Sequence, residues 1–423
     1  MSWVAIKLGG VSMKPNTEKT LESPSLREIR IVWLSSLVFG RDTVTSRTEM
    51  VKRLSQLNAK VHLFAISSRG GNPEESDEHF VLLPMKFIPM ITQGLYLLAL
   101  FFSMPFYVIM KNPDYVITDH NTAIIGFALR LFFPQAKFKV VLDIRSTPLK
   151  GPVCLSNPKR GALQQRRGML MFWLSLVLAK KKFDGITIVT ELMKKEVCDR
   201  FNVSPELFGV WTGAVSTSIF NPRNFDKDEI KRSLGLEDKF VIFHHGGVRV
   251  QGLVEAFKAL GLLKTKHQDM VLFLLGEPAL PMFWNDLAKE LNIQNNVIFH
   301  GKVRYADVPR FIAMSDLPIV PLPDIPNWRN QCPLKLLEYL AMEKAVILTA
   351  IPANREIVGK CKCGIYVASI EPEEIAEAIT YAYCNRESLR KWGKIGRAII
   401  ENKYTWEKVA KELHDYLLHL QPE

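Results

Sequence analysis

The sequence predicts an α/β protein of two Rossmann-like, doubly wound parallel-sheet domains that face a cleft, with a last helix crossing back. Three observations predict it. Short β-branched runs alternate with longer helical segments along almost the whole chain. The alternation falls into two sets, parted at Asn221 to Lys239 by a stretch rich in charge and poor in large apolar residues. At 423 residues the chain is too long for one core, given a prior of about 150 residues per domain.

Met1 to Arg27 reads as a loose polar leader, residues 1–27, with only the short apolar run "WVAI" and no expected secretory signal. The first domain, 28–215, takes strands at Ile29 to Ser35, Lys60 to Ile66, Asp114 to Thr118, Lys137 to Ile144 and Asp184 to Thr190. A linker is expected over 216–238. The second domain, 239–400, takes strands at Lys239 to His244, Met270 to Gly276, Asn296 to Gly301, Asp316 to Leu322 and Ala345 to Thr349. The last segment, 401–423, repeats apolar residues at helical spacing and is expected to pack on the first domain. Ligands of such folds bind beyond the carboxyl ends of the strands.

Two apolar segments of the first domain need separate treatment. Gly94 to Met110 is 17 residues without a charge, interrupted by Pro105, and just short of the roughly 20 needed to span a bilayer. It reads as a helix buried on the first sheet. Gln164 to Lys182 has a shorter apolar core flanked by Arg166 and Arg167 on one side and Lys180, Lys181 and Lys182 on the other. Two readings stay open for it, a core helix with solvated basic ends or an element resting on lipid headgroups.

The net charge is +12, of which +11 falls in Met1 to Thr212 (28 Lys and Arg against 17 Asp and Glu) and +1 in the remainder. A basic first half suits an anionic surface. Nucleic acid is not the expected partner, because the chain has no zinc-finger spacing, RNP-like motif or basic heptad region. The six cysteines are scattered, and the C-x-C at Cys361 and Cys363 has no second half, so reduced thiols are expected rather than a metal site.

Chemistry enters at "PLKLLEYLAMEKAVILT", Pro333 to Thr349. Pro333 suits the first turn of a helix that starts at the carboxyl end of a parallel strand, with its positive end in the cleft. Lys335 and Glu338 lie three apart and share a face. There the lysine can approach phosphate oxygens and the carboxylate can accept two ribose hydroxyls. The competing reading is a solvated ion pair. Gly246 and Gly247, after the first strand of the second domain, allow close backbone approach to a diphosphate.

With "SDLPIVPLP", "VWTGAVSTSIFNP" and "YTWEKVAKEL" in their order, "CPLKLLEYLAMEKAVILTAIPANREIV" resembles the donor-site signature of the retaining GT-B glycosyltransferases of family 4 (glycosyltransferase group 1), in the Pro-x-Lys-Leu-x-Glu-Tyr branch. The resemblance implies that Glu338 holds the donor ribose and Lys335 lies beside the donor phosphates, with Leu336 among the donor-binding residues. Asn330 stands where the family's E-x7-E motif has its first glutamate, Glu343 where a glycine is usual, and Gln251 where a cation is usual, with Arg249 as the substitute. Gly40 matches the loop bordering the reaction centre. His120 matches the family's cleft histidine, and it is expected to be catalytic together with Arg145, which lies with Asp143 at a further strand end. Asp226 and Asp228 form a D-x-D, but in the linker, and no metal site is assigned to them.

The activity implied is hexosyl transfer from a nucleotide-diphosphate sugar to a lipid-linked or polysaccharide acceptor, with retention, without a metal or other cofactor. The expected setting is cytoplasmic, peripheral on an anionic membrane face. Alternatives are a catalytically silent sugar-nucleotide-binding protein and a GT-B-fold epimerase.

Overall fold

The computed structural model describes residues 28–39, 46–67, 80–84, 91–148, 158–248 and 250–420. The first domain runs β1 (Ile29–Phe39), α1 (Ser46–Gln56), β2 (Ala59–Ser67), β3 (Phe80–Pro84), α2 (Ile91–Lys111), β4 (Tyr115–Thr118), α3 (Ala123–Phe132), β5 (Lys139–Ile144), α4 (Pro158–Lys182), β6 (Gly185–Ile188), α5 (Glu191–Phe201) and β7 (Phe208–Val210). Its sheet has seven parallel strands in the order β3, β2, β1, β4, β5, β6, β7.

A short α6 (Lys227–Ser233) leads into β8 (Phe240–His245), α7 (Val250–Leu263), β9 (Met270–Leu275), α8 (Pro281–Glu290), β10 (Val297–Gly301), α9 (Val308–Met314) and β11 (Leu317–Val320). The chain continues through α10 (Pro326–Arg329), α11 (Leu334–Ala341), β12 (Val346–Thr349), α12 (Pro352–Val358), β13 (Gly364–Val367), α13 (Pro372–Cys384), α14 (Arg386–Lys403) and α15 (Trp406–His419). This sheet has six parallel strands in the order β10, β9, β8, β11, β12, β13. Strand order reverses between β1 and β4 in one sheet and between β8 and β11 in the other. Crevices open at such reversals, beyond the carboxyl ends of the strands.

Each sheet is covered on both faces. In the first domain, α2, α3 and α4 bury Tyr96, Leu100, Leu129, Phe172 and Leu176 on one face. On the other face α1 and α15 enclose Trp33, Met50, Trp211, Val409 and Leu413. Helix α15 is thus seated on the first sheet, and the Tyr416 hydroxyl donates to Leu207 O at 2.6 Å while accepting from Ile186 N at 3.1 Å. The chain crosses between domains twice, and the two crossings run side by side. Val215 N donates to Tyr404 O at 2.9 Å, with Val215 and Thr405 paired in parallel. Arg397 ties the junction by donating to Phe220 O and Ala341 O, both at 2.6 Å. In the linker, Asp226 caps α6 by accepting from Asp228 N and Glu229 N. Lys227 and Lys231 fasten that helix to Asp316.

The structure departs from the sequence expectations in four places. Strands β3, β7 and β13 were not expected; they have five, three and four residues, and β3 closes on Pro84 at a sheet edge. The loop after β11 contains the short helix α10. Pro333 sits one position earlier than expected, as the extended residue before α11 with ψ 95°. Most consequentially, α2 is not a buried helix: only 22% of its most apolar stretch is covered.

Candidate functional site

Strand β8 ends in two histidines, and α11 presents a residue to each. The Lys335 ammonium donates to His244 Nε2 at 2.9 Å, and His244 Nδ1 lies 3.2 Å from Ile319 O. The pattern requires a neutral imidazole protonated on Nδ1. Burial holds the His244 pKa well below the usual range, and the Lys335 charge acts in the same direction. His245 Nε2 lies 2.7 Å from Glu338 Oε2, and its Nδ1 is 2.9 Å from the Tyr339 hydroxyl. Since that hydroxyl accepts from His245 N at 3.0 Å, it donates to Nδ1, which leaves the proton on Nε2 to bond the carboxylate. Lys335 and Glu338 therefore diverge onto adjacent histidines at the point where the strand order reverses.

The next residue is Gly246, with φ +95°, where only glycine is at ease. A Cβ added there would lie 3.7 Å from the Lys335 ammonium. Gly246 and Gly247 are both exposed, so backbone and ammonium line the same open corner. Leu336, by contrast, is fully buried in the domain core and positions the helix without reaching the cleft. Glu338 is 5% exposed. Burial raises the Tyr305 pKa; the Glu338 carboxylate, hydrogen-bonded to that hydroxyl, and Glu49 of α1 raise it further.

Across the cleft, the reversal between β1 and β4 carries a second polar cluster. Asp119 accepts from Ser36 N at 2.7 Å and from Ser36 Oγ at 2.8 Å, and also from Asn121 N and Thr122 N, both at 3.0 Å. Burial opposes its ionisation, but Arg47, His120 and the Ser36 bonds hold its pKa below the carboxylate range. Arg47 pairs with the buried Asp143 at 2.8 Å, and Thr187 donates to the other Asp143 oxygen at 3.0 Å. His120 follows Asp119 at the strand end, half-buried. Burial lowers its pKa; Asp119 and Asp143 raise it, and Arg47 lowers it.

Two residues assigned from sequence are engaged elsewhere. The Arg145 guanidinium lies 3.4 Å over the Trp211 ring and donates to Trp211 O, and burial pulls its pKa down to about 10. It is spent on fixing the strand-end backbone just before the domain crossing. Asn330 is buried between domains, where its side-chain amide donates to Glu196 and its backbone carbonyl accepts from the Thr190 hydroxyl at 2.7 Å. Thr190 also caps α5 by accepting from Met193 N at 3.0 Å. This arrangement latches the β11–α11 loop to the first domain. Gly40 and the Arg249 side chain lie outside the described residues. A cavity of about 330 Å³ beside the crossings, lined by Thr190, Cys332, Glu356 and Tyr404 among others, contains none of the candidate donor residues.

Sequence reasoning missed His244, His245, Tyr305 and Tyr339, and on the first sheet Arg47 and Asp119. The signal for the histidines was present in "IFHHGG", a pair at a strand end directly before the glycines. Tyr305 and Arg47 come from separate segments that only the fold brings together.

Two family models cover most of the chain. Residues 44–219 match Glycosyltransferase Family 4, and residues 226–399 match Glycosyl transferases group 1. The chain belongs to this glycosyltransferase family. An uncharacterized glycosyltransferase of Methanocaldococcus jannaschii is 24% identical over 243 residues, 54% of this chain and 58% of that protein. Spore coat protein SA of Bacillus subtilis is 24% identical over 250 residues, 54% of this chain and 63% of that one. The matches therefore span less than two thirds of these relatives.

Among solved structures, HepE of Anabaena, in complex with UDP and glucose, superposes with a TM-score of 0.68 at 14% identity, covering 92% of this chain and 99% of that one. Sucrose-phosphate synthase of Thermosynechococcus elongatus gives 0.70 at 15% identity, covering 93% and 99%. These likenesses show that this member of the glycosyltransferase family has the two-domain GT-B fold.

Proposed function

We propose that the protein transfers a hexosyl group from a nucleotide-diphosphate sugar to a lipid-linked or polysaccharide acceptor. One observation carries this reading: Lys335 and Glu338 are parted onto His244 and His245 at the carboxyl end of β8, beside the open backbone of Gly246. A diphosphate in that corner meets the Lys335 ammonium beside the exposed backbone of Gly246 and Gly247, and the carboxylate one turn on is spaced for a ribose diol. Lys335 is poised by a neutral acceptor, so an anionic ligand outcompetes His244 for its protons. UDP-sugars are the first donors to try, because the HepE structure holds UDP and glucose.

In this reading cleavage leaves negative charge on the diphosphate, and Lys335 with the start of α11 receives it. Metal-independent transfer with retention accords with this scheme and with the family. Across the cleft, His120 is the group placed to face the donor sugar and the acceptor. The setting is the cytoplasmic face of a membrane.

The test is incubation of the full chain with radiolabelled UDP-, GDP- and ADP-sugars, with and without a membrane lipid extract, in the presence of a chelator. Chelator-resistant turnover of one donor is expected. Nucleotide binding without turnover of any donor would instead favour the silent sugar-nucleotide-binding protein.

A further inference from the structure

Helix α2 has two apolar faces, and the first sheet covers only one. Thr92, Tyr96, Leu100, Met104 and Val108 are buried. Ile91, Leu95, Leu98, Phe102, Phe106 and Ile109 form the opposite stripe, with Phe102 68% and Phe106 71% exposed. A soluble surface helix carries polar residues on its outer side. Here Lys111, the last residue, is the only charge in the helix.

The exposed stripe continues onto its neighbours. Phe101 of α2 meets Phe132 of α3 with ring centroids 5.9 Å apart, and Leu131 and Phe132 are themselves exposed. Beyond α3, helix α4 adds exposed Leu170 and Trp173. Contiguous apolar surface across three helices marks a docking site.

Charge identifies the occupant. Helices α2, α3 and α4 together carry nine Lys and Arg and not one Asp or Glu. Basic residues flank the apolar turns of α4, with Arg166 and Arg167 exposed before them and Lys180, Lys181 and Lys182 exposed after them. Arg130 is paired with Asp184, but Arg166, Arg167 and Lys180 to Lys182 are exposed, and an apolar face flanked by such residues complements an anionic lipid layer, in which acyl chains take the rings and headgroups take the cationic groups.

We infer that the outer face of α2, α3 and α4 is the membrane-seated surface of the protein, with α2 lying along an anionic bilayer at the headgroup–acyl boundary. The surface stands on its own exposure and charge. It deepens the proposed function by placing the first domain, and the cleft at its strand ends, against the leaflet that would supply a lipid-linked acceptor.

The experiment is flotation of the full chain with vesicles of phosphatidylglycerol and phosphatidylcholine in equal parts, and with phosphatidylcholine alone. The wild type is expected to float with the anionic vesicles. Phe102→Asp with Phe106→Asp should lower partitioning at least about tenfold, because two aromatic anchors are lost and two negative charges face the lipid. Reversal of Lys180, Lys181 and Lys182 to Glu should weaken binding and make what remains less sensitive to added salt, because the attraction that salt screens is gone. Met282→Asp, an equally exposed apolar position on α8 of the second domain, should change nothing.

Brominated acyl chains should quench the wild type, with the quenching reduced in Trp173→Phe. Vesicle binding that survives the double Asp variant overturns the proposal. So does a wild type that ignores vesicles but forms a dimer by light scattering that the double variant dissociates, since a second copy would then own the face. Nucleotide affinity of the double variant separates this result from the transferase reading: it is expected to match the wild type whatever the vesicles do.

Discussion

Glu338→Gln is the most exposing perturbation, because it removes one charge without changing shape. Glu338 is buried and accepts from His245 Nε2 at 2.7 Å, and the Tyr305 hydroxyl bonds to it as well. A hydrogen bond to a charged acceptor contributes about 1.5–3 kcal/mol, and the Gln carbonyl keeps part of it, so the expected loss of stability is about 1–3 kcal/mol. The effect on the ligand is larger in kind. If the carboxylate also accepts a ribose diol, loss of that charge-assisted pair costs about 2–4 kcal/mol, or roughly 30- to 1,000-fold in nucleotide affinity. Urea denaturation gives the first quantity, and calorimetric titration with a nucleoside diphosphate the second. Tyr305→Phe is the control, since it removes a bond to Glu338 but leaves the carboxylate, and its affinity should stay within a few fold. Unchanged affinity in Glu338→Gln, with the expected loss of stability, would refute the argument: the carboxylate would then serve His245 alone.

Lys335→Met should lower kcat by about 10²-fold or more with little change in stability, and Lys335→Arg should recover part of it, read in steady-state assays once a donor is known. Glu343 occupies φ +53°, a left-handed conformation that penalises side chains, at the position where the family usually has glycine. Glu343→Gly should therefore raise stability by up to about 1 kcal/mol, seen as a small rise in melting temperature. Lys227, Lys231 and their hydrogen bonds hold the Asp316 pKa below the usual carboxylate range against the opposing effect of burial. A depressed folded pKa gives stability that is whole above the unfolded value near 3.9 and is lost as pH falls through the folded one. The wild type should therefore lose more stability than Asp316→Asn between about pH 5 and the acid limit, measured as the urea midpoint against pH.

The central strands of both sheets were legible because parallel strands buried on both faces read as apolar runs, whereas the edge strands β3, β7 and β13 were not expected. β8, β9 and β12 are of this kind, and every residue of each is buried. β7 was not, since "FGV" is too short to show any period, and its place is set by pairing with β6. Lys335 and Glu338 were legible from spacing and from the strand before them. Their partners were less so, because a histidine at a strand end becomes a site residue only when α11 is laid beside it. Asn330 shows the converse. Motif position pointed it at a donor sugar, yet the chain takes it to Glu196 and Thr190, where it joins domains.

Helix α2 marks the physical boundary of sequence reading. An apolar residue reports that it avoids water, but not whether protein or lipid replaces the water. Helical periodicity usually decides the matter, because the solvent side of a core helix is polar. In α2 the period is silent, since both faces are apolar. The deciding information lies outside the helix, in the sheet that covers a single face and in neighbours without an acidic residue. The same neighbours account for much of the charge asymmetry visible at the start. Nine of the 28 basic residues before Gly213 belong to these three helices. Apolar stripe and basic excess are therefore two aspects of one surface, which explains why neither the hydropathy of α2 nor the flanks of α4 could identify it alone.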